Sequence, residues 1–184
     1  MTRALLAVPD ALTGAQCDAA IALAGGRLRP GPLYGDAGEE IDSARRNVQS
    51  ALVGRDAAGW LFDRLDALFQ LGCAAFDLRV GPLTEPIQVL RYDTGGHFAM
   101  WHNDAGRDLG DRRLLSLSVE LSAAEDYHGG ALEIVPDSIG ARRTLPRGGA
   151  CLFPSRALHR VTPVTRGTRW ALVAWTGATE VHRT

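Results

Sequence analysis

From residue 85 onward the hydrophobic period of this 184-residue chain changes from 3.6 to 2, and that change constrains the core it can build. Leu115, Leu117, Val119 and Leu121 alternate strictly with Ser116, Ser118 and Glu120, the pattern of a half-buried strand. An earlier strand is predicted from Glu85 to Arg91, with Ile87 and Val89 on one side and Gln88, Leu90 and Tyr92 on the other. Further extended stretches are predicted at His97 to Trp101, Ala131 to Val135, Arg142 to Leu145, Ala150 to Phe153, Ala157 to Val164 and Thr168 to Trp175. Glycines at 95–96, 129–130, 148–149 and 167 supply the turns between them. Two helices followed by about eight such strands argue α+β, with an antiparallel sandwich or barrel as the core.

Upstream the pattern is helical. Thr13 and Gln16 match a capping box, so a helix should run to about residue 24 and stop at Gly25-Gly26. Asp56 is placed to cap a second helix, Ala57 to Phe76, whose apolar residues Trp60, Leu61, Leu65, Leu68, Phe69 and Phe76 share one face. Arg27 to Asp42 holds two Pro and several Gly and reads as an irregular loop, with a lid over a site as the functional alternative. A short strand is expected at Ala4 to Val8 and another at Asn47 to Val53. The chain reads as a single domain, 1–184, in which 1–84 is mostly helical support and 85–176 is the barrel core.

A formal net charge of -1 gives no general attraction to nucleic acid or to an anionic membrane, so neither is expected as a partner. All 20 basic residues are Arg, a bias that fits a GC-rich bacterial genome, and any fixed cation here must be Arg or His. The stretch MTRALLAVPDAL has too short an apolar run for a signal peptide. Cys17, Cys73 and Cys151 are odd in number, far apart and outside any CxxC pattern; they read as small buried residues in a reducing cytoplasm.

The chemistry begins at Tyr92 to Asp104, YDTGGHFAMWHND. His102 and Asp104 are one residue apart, so in an extended chain they share a face and make two adjacent ligands for a divalent metal. His159, at the start of a late strand, is the candidate third ligand; His97 falls on the opposite face, His128 precedes a surface turn, and His182 lies in the tail. Two His and one carboxylate leave half of an octahedron open, the facial triad associated with non-haem Fe(II) oxygenases. Arg169 lies ten residues beyond His159, across the Gly167 turn, and its fork of N–H donors suits a carboxylate.

With those residues in place the chain resembles the Fe(II)- and 2-oxoglutarate-dependent dioxygenases, in particular their prolyl 4-hydroxylase-like branch. The resemblance runs from about Gln88 to Trp175 through QVLRYDTGGHFAMWHND, YHGGALEI and HRVTPVTRGTRWALVAW. It implies a double-stranded β-helix, a jelly-roll barrel with the N-terminal helices packed on one sheet. It implies Fe(II) on His102, Asp104 and His159, with the distal carboxylate of 2-oxoglutarate on Arg169 and Tyr92 lining the same pocket. Trp175 matches an aromatic near the iron in some relatives, and Ser118 and Glu120 are candidates for the pocket lining. Some relatives carry an aromatic at the position of Glu120; a carboxylate there needs a partner, for which Arg113, another Arg or a basic group of the substrate is expected. Arg45-Arg46 reads as a solvated charge pair, with a place at the pocket entrance as the alternative.

The implied reaction couples 2-oxoglutarate and O2 to hydroxylation of a C–H bond, releasing succinate and CO2, with ascorbate as a supporting reductant. A peptidyl or free amino acid, proline first, is the expected substrate. The alternatives are a hydroxylase or demethylase of another small molecule, and a non-catalytic cupin-like metal-binding or sensor barrel. Arg169 argues against the last, because a simple metal-binding barrel has no need of a carboxylate clamp. Substrate choice is expected in residues 27–47, 104–113 and 123–128.

Overall fold

In the computed structural model residues 5–35, 38–105, 113–135 and 145–178 are described. The first half of the chain gives β1 (Leu6–Val8), α1 (Gly14–Leu23), β2 (Arg29–Pro30), β3 (Leu33–Gly35), β4 (Gly38–Glu40), β5 (Arg46–Asn47), β6 (Gln49–Val53) and α2 (Arg55–Phe76). The second half gives β7 (Ile87–Tyr92), β8 (His97–His102), β9 (Arg113–Glu120), β10 (Tyr127–Gly129), β11 (Leu132–Ile134), β12 (Ala150–Pro154), β13 (His159–Val161), β14 (Val164–Gly167) and β15 (Arg169–Gly177).

All of the pairings are antiparallel. A seven-stranded sheet runs β1-β12-β9-β15-β7-β6-β2, and a four-stranded sheet runs β11-β13-β8-β5, with β10-β14 and β3-β4 as separate ribbons. The strict alternation of β9 sorts two cores on either side of the larger sheet. Leu115, Leu117 and Val119 join Leu61, Phe62, Leu65, Leu68 and Phe69 of α2 in one apolar cluster. A second cluster, containing Leu90, Tyr92, Phe153, Leu132, Ile134 and Val161, draws on both sheets and fills the space between them. Each such buried side chain contributes about 1.5–3 kcal/mol by leaving water. This is the double-stranded β-helix with helices on one sheet. The polar residues Ser116, Ser118 and Glu120, on the other side of β9, are all buried. They face the second cluster's side of the sheet, so this barrel has a polar strip built into its interior.

The capping box at α1 forms in both directions: Gln16 N–H donates to Thr13 Oγ1 at 3.2 Å and Thr13 N–H donates to Gln16 Oε1 at 2.9 Å. Helix α2 differs from its expected start. Gly54, with extended φ and ψ, is the N-cap, and Asp56 lies inside the first turn, where its charge favours the helix N-terminus. Ala58 breaks helical geometry at φ −148° and ψ 40°, which rotates the face. Trp60 is therefore 41% exposed and Phe62 takes its place in the core.

The first 84 residues are also less helical than their composition suggests. Residues 27–42, expected as an irregular loop, carry β2, β3 and β4, while β1, β2 and β6 extend the larger sheet and β5 edges the smaller one. The stretch 157–164 divides into β13 and β14 around Thr162-Pro163, since Pro163 has no N–H to offer a ladder. Of the short extended stretch expected at 142–145, residues 142–144 lie outside the described residues.

One turn fixes where β15 begins. Gly167 has φ +77°, and a Cβ there would overlap the backbone carbonyl oxygen of Asp126. Gly167→Ala is expected to cost at least about 1–3 kcal/mol, from the left-handed backbone and the overlap together, measured as a lower urea midpoint. An unchanged midpoint would show that this turn can relax without moving Arg169.

Candidate active site

Sheet register brings the predicted ligands together. His102 ends β8 and His159 begins β13, and the two are direct cross-strand partners. Their ring centroids are 4.2 Å apart. Asp104 follows after one residue, its backbone N–H donating to the carbonyl of Ser155 at 2.8 Å. One nitrogen or oxygen from each of His102, Asp104 and His159 lies within 4.8 Å of the others.

The tautomers are set by what each Nδ1 meets. His102 Nδ1 is 2.9 Å from the carbonyl of Met100 and His159 Nδ1 is 3.0 Å from that of Ala157. A carbonyl only accepts, so each Nδ1 carries a proton and Nε2 is the nitrogen each ring can offer to a metal. His159 Nε2 lies 3.3 Å from Asp104 Oδ2. Burial, and then the charge of His159, push the His102 pKa down to about 4, so this imidazole is neutral near pH 7, as a ligand must be. Phe98 stacks on His102 at 3.7 Å between centroids, and Phe153 meets His159 edge-on at 4.9 Å. Two imidazoles and a carboxylate, with both rings held at Nδ1 by backbone carbonyls, fit a divalent iron ion.

Ser116 and Ser155 support the acid. Ser116 Oγ donates to Asp104 Oδ2 at 2.7 Å and lies 3.0 Å from Ser155 Oγ. Ser116→Ala is expected to weaken Mn(II) or Co(II) binding by about tenfold, the smaller end of outer-shell effects on metal affinity, by calorimetry on the folded protein. Equal affinities in the variant and the parent would leave Asp104 positioned by Ser155 alone.

Arg169 stands on the adjoining larger sheet. It opens β15, directly opposite Tyr92 on β7, and its guanidinium carbon is 5.6 Å from the Tyr92 ring centre. Its Nε donates to Glu120 Oε2 at 2.8 Å. The same oxygen accepts the Tyr127 hydroxyl at 3.1 Å, and Oε1 accepts the Ser122 N–H at 3.2 Å. Glu120 has therefore found another arginine and not Arg113, which pairs with Glu85 at 3.0 Å and lies 4.2 Å over the ring of Trp175. Burial and the Glu120 charge push the Tyr127 pKa up to about 12, so Tyr127 stays a hydroxyl donor. Along β9, Ser116 serves Asp104 and Glu120 serves Arg169; four residues of strand put these two stations roughly 13 Å apart, before side chains reach inward.

The remaining predicted residues fall as follows. Ser118 is buried on β9 between those two stations, opposite Cys151 and Val173. Trp175 is buried on the same side of β15 as Arg169 and opposite Ser116. His97 is held outside the cluster by the carbonyls of Gly95 and Ala44, and His128 is an exposed partner of Arg166. His182 lies outside the described residues. Arg46, read from sequence as one of a solvated pair, is instead buried; it donates to the Pro32 carbonyl and to Gln88 Oε1 and lies 4.8 Å over the Phe98 ring. Tyr127 and Ser155 went unnoticed in the sequence. The signal for Ser155 was its place in the loop that carries His159.

Comparison with known proteins places this geometry. The family model of the 2OG-Fe(II) oxygenase superfamily matches residues 87–177. A PKHD-type hydroxylase of Parvibaculum lavamentivorans is 33% identical over 184 residues, covering 93% of this chain and 77% of that protein. The chain belongs to the 2OG-Fe(II) oxygenase superfamily. Further relatives of this oxygenase are PKHD-type hydroxylases of Hyphomonas neptunium, 44% identical over 47% of this chain, and of Gluconobacter oxydans, 33% identical over 76%. The chain spans 40% and 63% of their respective lengths. In fold it is similar to a Pseudomonas putida prolyl-4-hydroxylase, with TM-score 0.76 and 20% identity over 97% of this chain and 94% of that one. A prolyl hydroxylase of Trichoplax adhaerens, solved with a peptide fragment of hypoxia inducible factor, also gives a TM-score of 0.76, at 19% identity over 96% and 84% of the two chains. The family is one of hydroxylases that use Fe(II), 2-oxoglutarate and O2.

Proposed function

We propose that this oxygenase hydroxylates a C–H bond of a peptidyl or free amino acid, with prolyl residues as the first class to test. The observation that carries the reading is the placing of two stations inside one barrel: a His, His and Asp cluster, and a buried guanidinium beside Tyr92. His102, Asp104 and His159 hold Fe(II) in this reading. Arg169 and the hydroxyl of Tyr92 grip the distal carboxylate of 2-oxoglutarate, and Ser118 and Trp175 line the space between. Fe(II) held there would supply the redox chemistry by which 2-oxoglutarate and O2 give succinate and CO2, one oxygen atom entering the substrate C–H bond. The chain's own part is to leave Nε2 of both imidazoles as the metal-facing nitrogen, to orient the diacid, and to exclude water with Phe98, Phe153 and Trp175.

The substrate class is supported by the names of the relatives, PKHD-type and prolyl hydroxylases, and by the peptide bound to the Trichoplax protein. A cupin-like binding module is disfavoured because it has no use for a buried guanidinium beside a tyrosine hydroxyl that donates to none of the described residues. Among the described residues no helix is long and apolar enough to cross a membrane, and a reducing cytoplasm, where thiols such as Cys17 and Cys73 persist, is the compartment we propose. The test is succinate release with Fe(II), 2-oxoglutarate and ascorbate over a panel of prolyl peptides and free amino acids, followed by mass analysis. Stimulated release with one added oxygen on a prolyl residue supports the reading. Stimulation only by compounds of another class would replace the substrate and keep the reaction.

A further inference from the structure

The guanidinium of Arg169 already has an anion beside it. Arg169 and Glu120 are both almost wholly buried, and Glu120 cannot turn away, because Arg169 Nε, the Tyr127 hydroxyl and the Ser122 N–H all donate to it. Among the described residues Arg169 Nε donates to Glu120, and the Tyr127 hydroxyl also lies against the guanidinium. The Tyr92 hydroxyl, on a residue 2% exposed, donates to none of the described residues. A carboxylate gripped by the Nη edge of Arg169 would share one guanidinium with the buried Glu120 carboxylate.

We propose that Glu120 sets the affinity of this site for its diacid: it neutralises Arg169 before the cosubstrate arrives and repels the distal carboxylate that then binds. The inference rests on the reading of Arg169 as the cosubstrate clamp. Its physical basis is charge. Before binding, the buried pair is neutral; after binding, two anions flank one cation, and the excess negative charge is poorly screened. The repulsion acts only on the distal end of the ligand. A keto acid that lacks this second carboxylate, such as 2-oxobutyrate, should not feel it.

The full chain, loaded with Mn(II), is titrated with 2-oxoglutarate and with 2-oxobutyrate. Glu120→Gln keeps an oxygen acceptor for Arg169 Nε and removes the charge. The expected result is 2-oxoglutarate affinity raised by about tenfold, the size of a buried unit charge acting over several ångströms, with 2-oxobutyrate affinity unchanged. A purely structural role for Glu120 would move both affinities together, and an unchanged or smaller ratio between the two ligands overturns the inference. Arg169→Gln in the same titration separates this from the underlying reading. If it leaves 2-oxoglutarate affinity intact, the clamp assignment itself fails; if it weakens 2-oxoglutarate alone while Glu120→Gln leaves the ratio unchanged, only the role of Glu120 fails. Should Glu120→Gln be unfolded without ligand, circular dichroism reads the same quantity. Refolding by 2-oxoglutarate and not by 2-oxobutyrate supports the inference, and failure of 2-oxoglutarate to refold it overturns it.

Discussion

His159→Ala removes metal-dependent chemistry while leaving the fold in place. His159 is one of the three ligands in the proposed function, and its Nε2 faces Asp104 Oδ2 across 3.3 Å. Deleting one ligand leaves two donors on one strand end, too few to hold a labile divalent ion. Mn(II) or Co(II) affinity is expected to fall by more than about 100-fold, beyond the range of outer-shell changes, and Fe(II)-dependent succinate release falls with it. The ring also packs against Phe153 and His102, so a cavity follows, and a loss of about 1–3 kcal/mol in the urea midpoint is expected from the lost contacts. Metal affinity is the deciding measurement. If the variant binds Mn(II) as the parent does, the ion sits elsewhere and the cluster at His102, Asp104 and His159 is structural.

Arg169→Leu is expected to have two separable effects. The first is on stability: it leaves Glu120, 3% exposed, as an uncompensated buried charge, a change that costs about 3–5 kcal/mol in comparable pairs. The second is on binding, since the Nη fork is gone and 2-oxoglutarate affinity should drop by about 100-fold or more. The double variant Arg169→Leu with Glu120→Leu tells them apart. Replacing both charges with apolar groups should recover most of the lost stability and none of the 2-oxoglutarate affinity. Recovery of both would mean that the guanidinium serves the barrel and not the ligand.

How much of this could be read from the chain depended on how local each feature is. The His102 and Asp104 pair is set by the alternation of one strand, and the alternation of residues 115–121 needs no knowledge of what lies across from it. That same alternation gives two faces without saying which is inside. Ser116, Ser118 and Glu120 looked as suited to water as to a pocket, and only the seating of α2 against Leu115, Leu117 and Val119 assigns the polar face to the interior. The partner of Glu120 was illegible for a related reason. Arg169 lies 49 residues away, and which arginine it meets follows from β9 lying beside β15 in a register that puts Glu120 opposite Ala171. Arg46 misled because its neighbour Arg45 is exposed, and a two-residue strand such as β5 leaves no periodic trace. The short strands among residues 27–42 were hidden in the same way, by Pro and Gly that normally signal irregular chain.

The cross-strand pairing of His102 with His159 has a mechanical consequence. An ion bound to both side chains would be a reversible cross-link between chain positions 57 residues apart, closing a loop that includes β9 to β12. Cross-links of that span act chiefly on the unfolded chain, whose freedom they reduce. The cluster between helix and sheet includes neither histidine, whereas the smaller sheet, built from short strands, carries both and has most to gain from an ion. Loading the metal would thus stiffen the wall on which the substrate must sit, so that a barrel with an empty centre and one ready for reaction differ in rigidity as well as in charge.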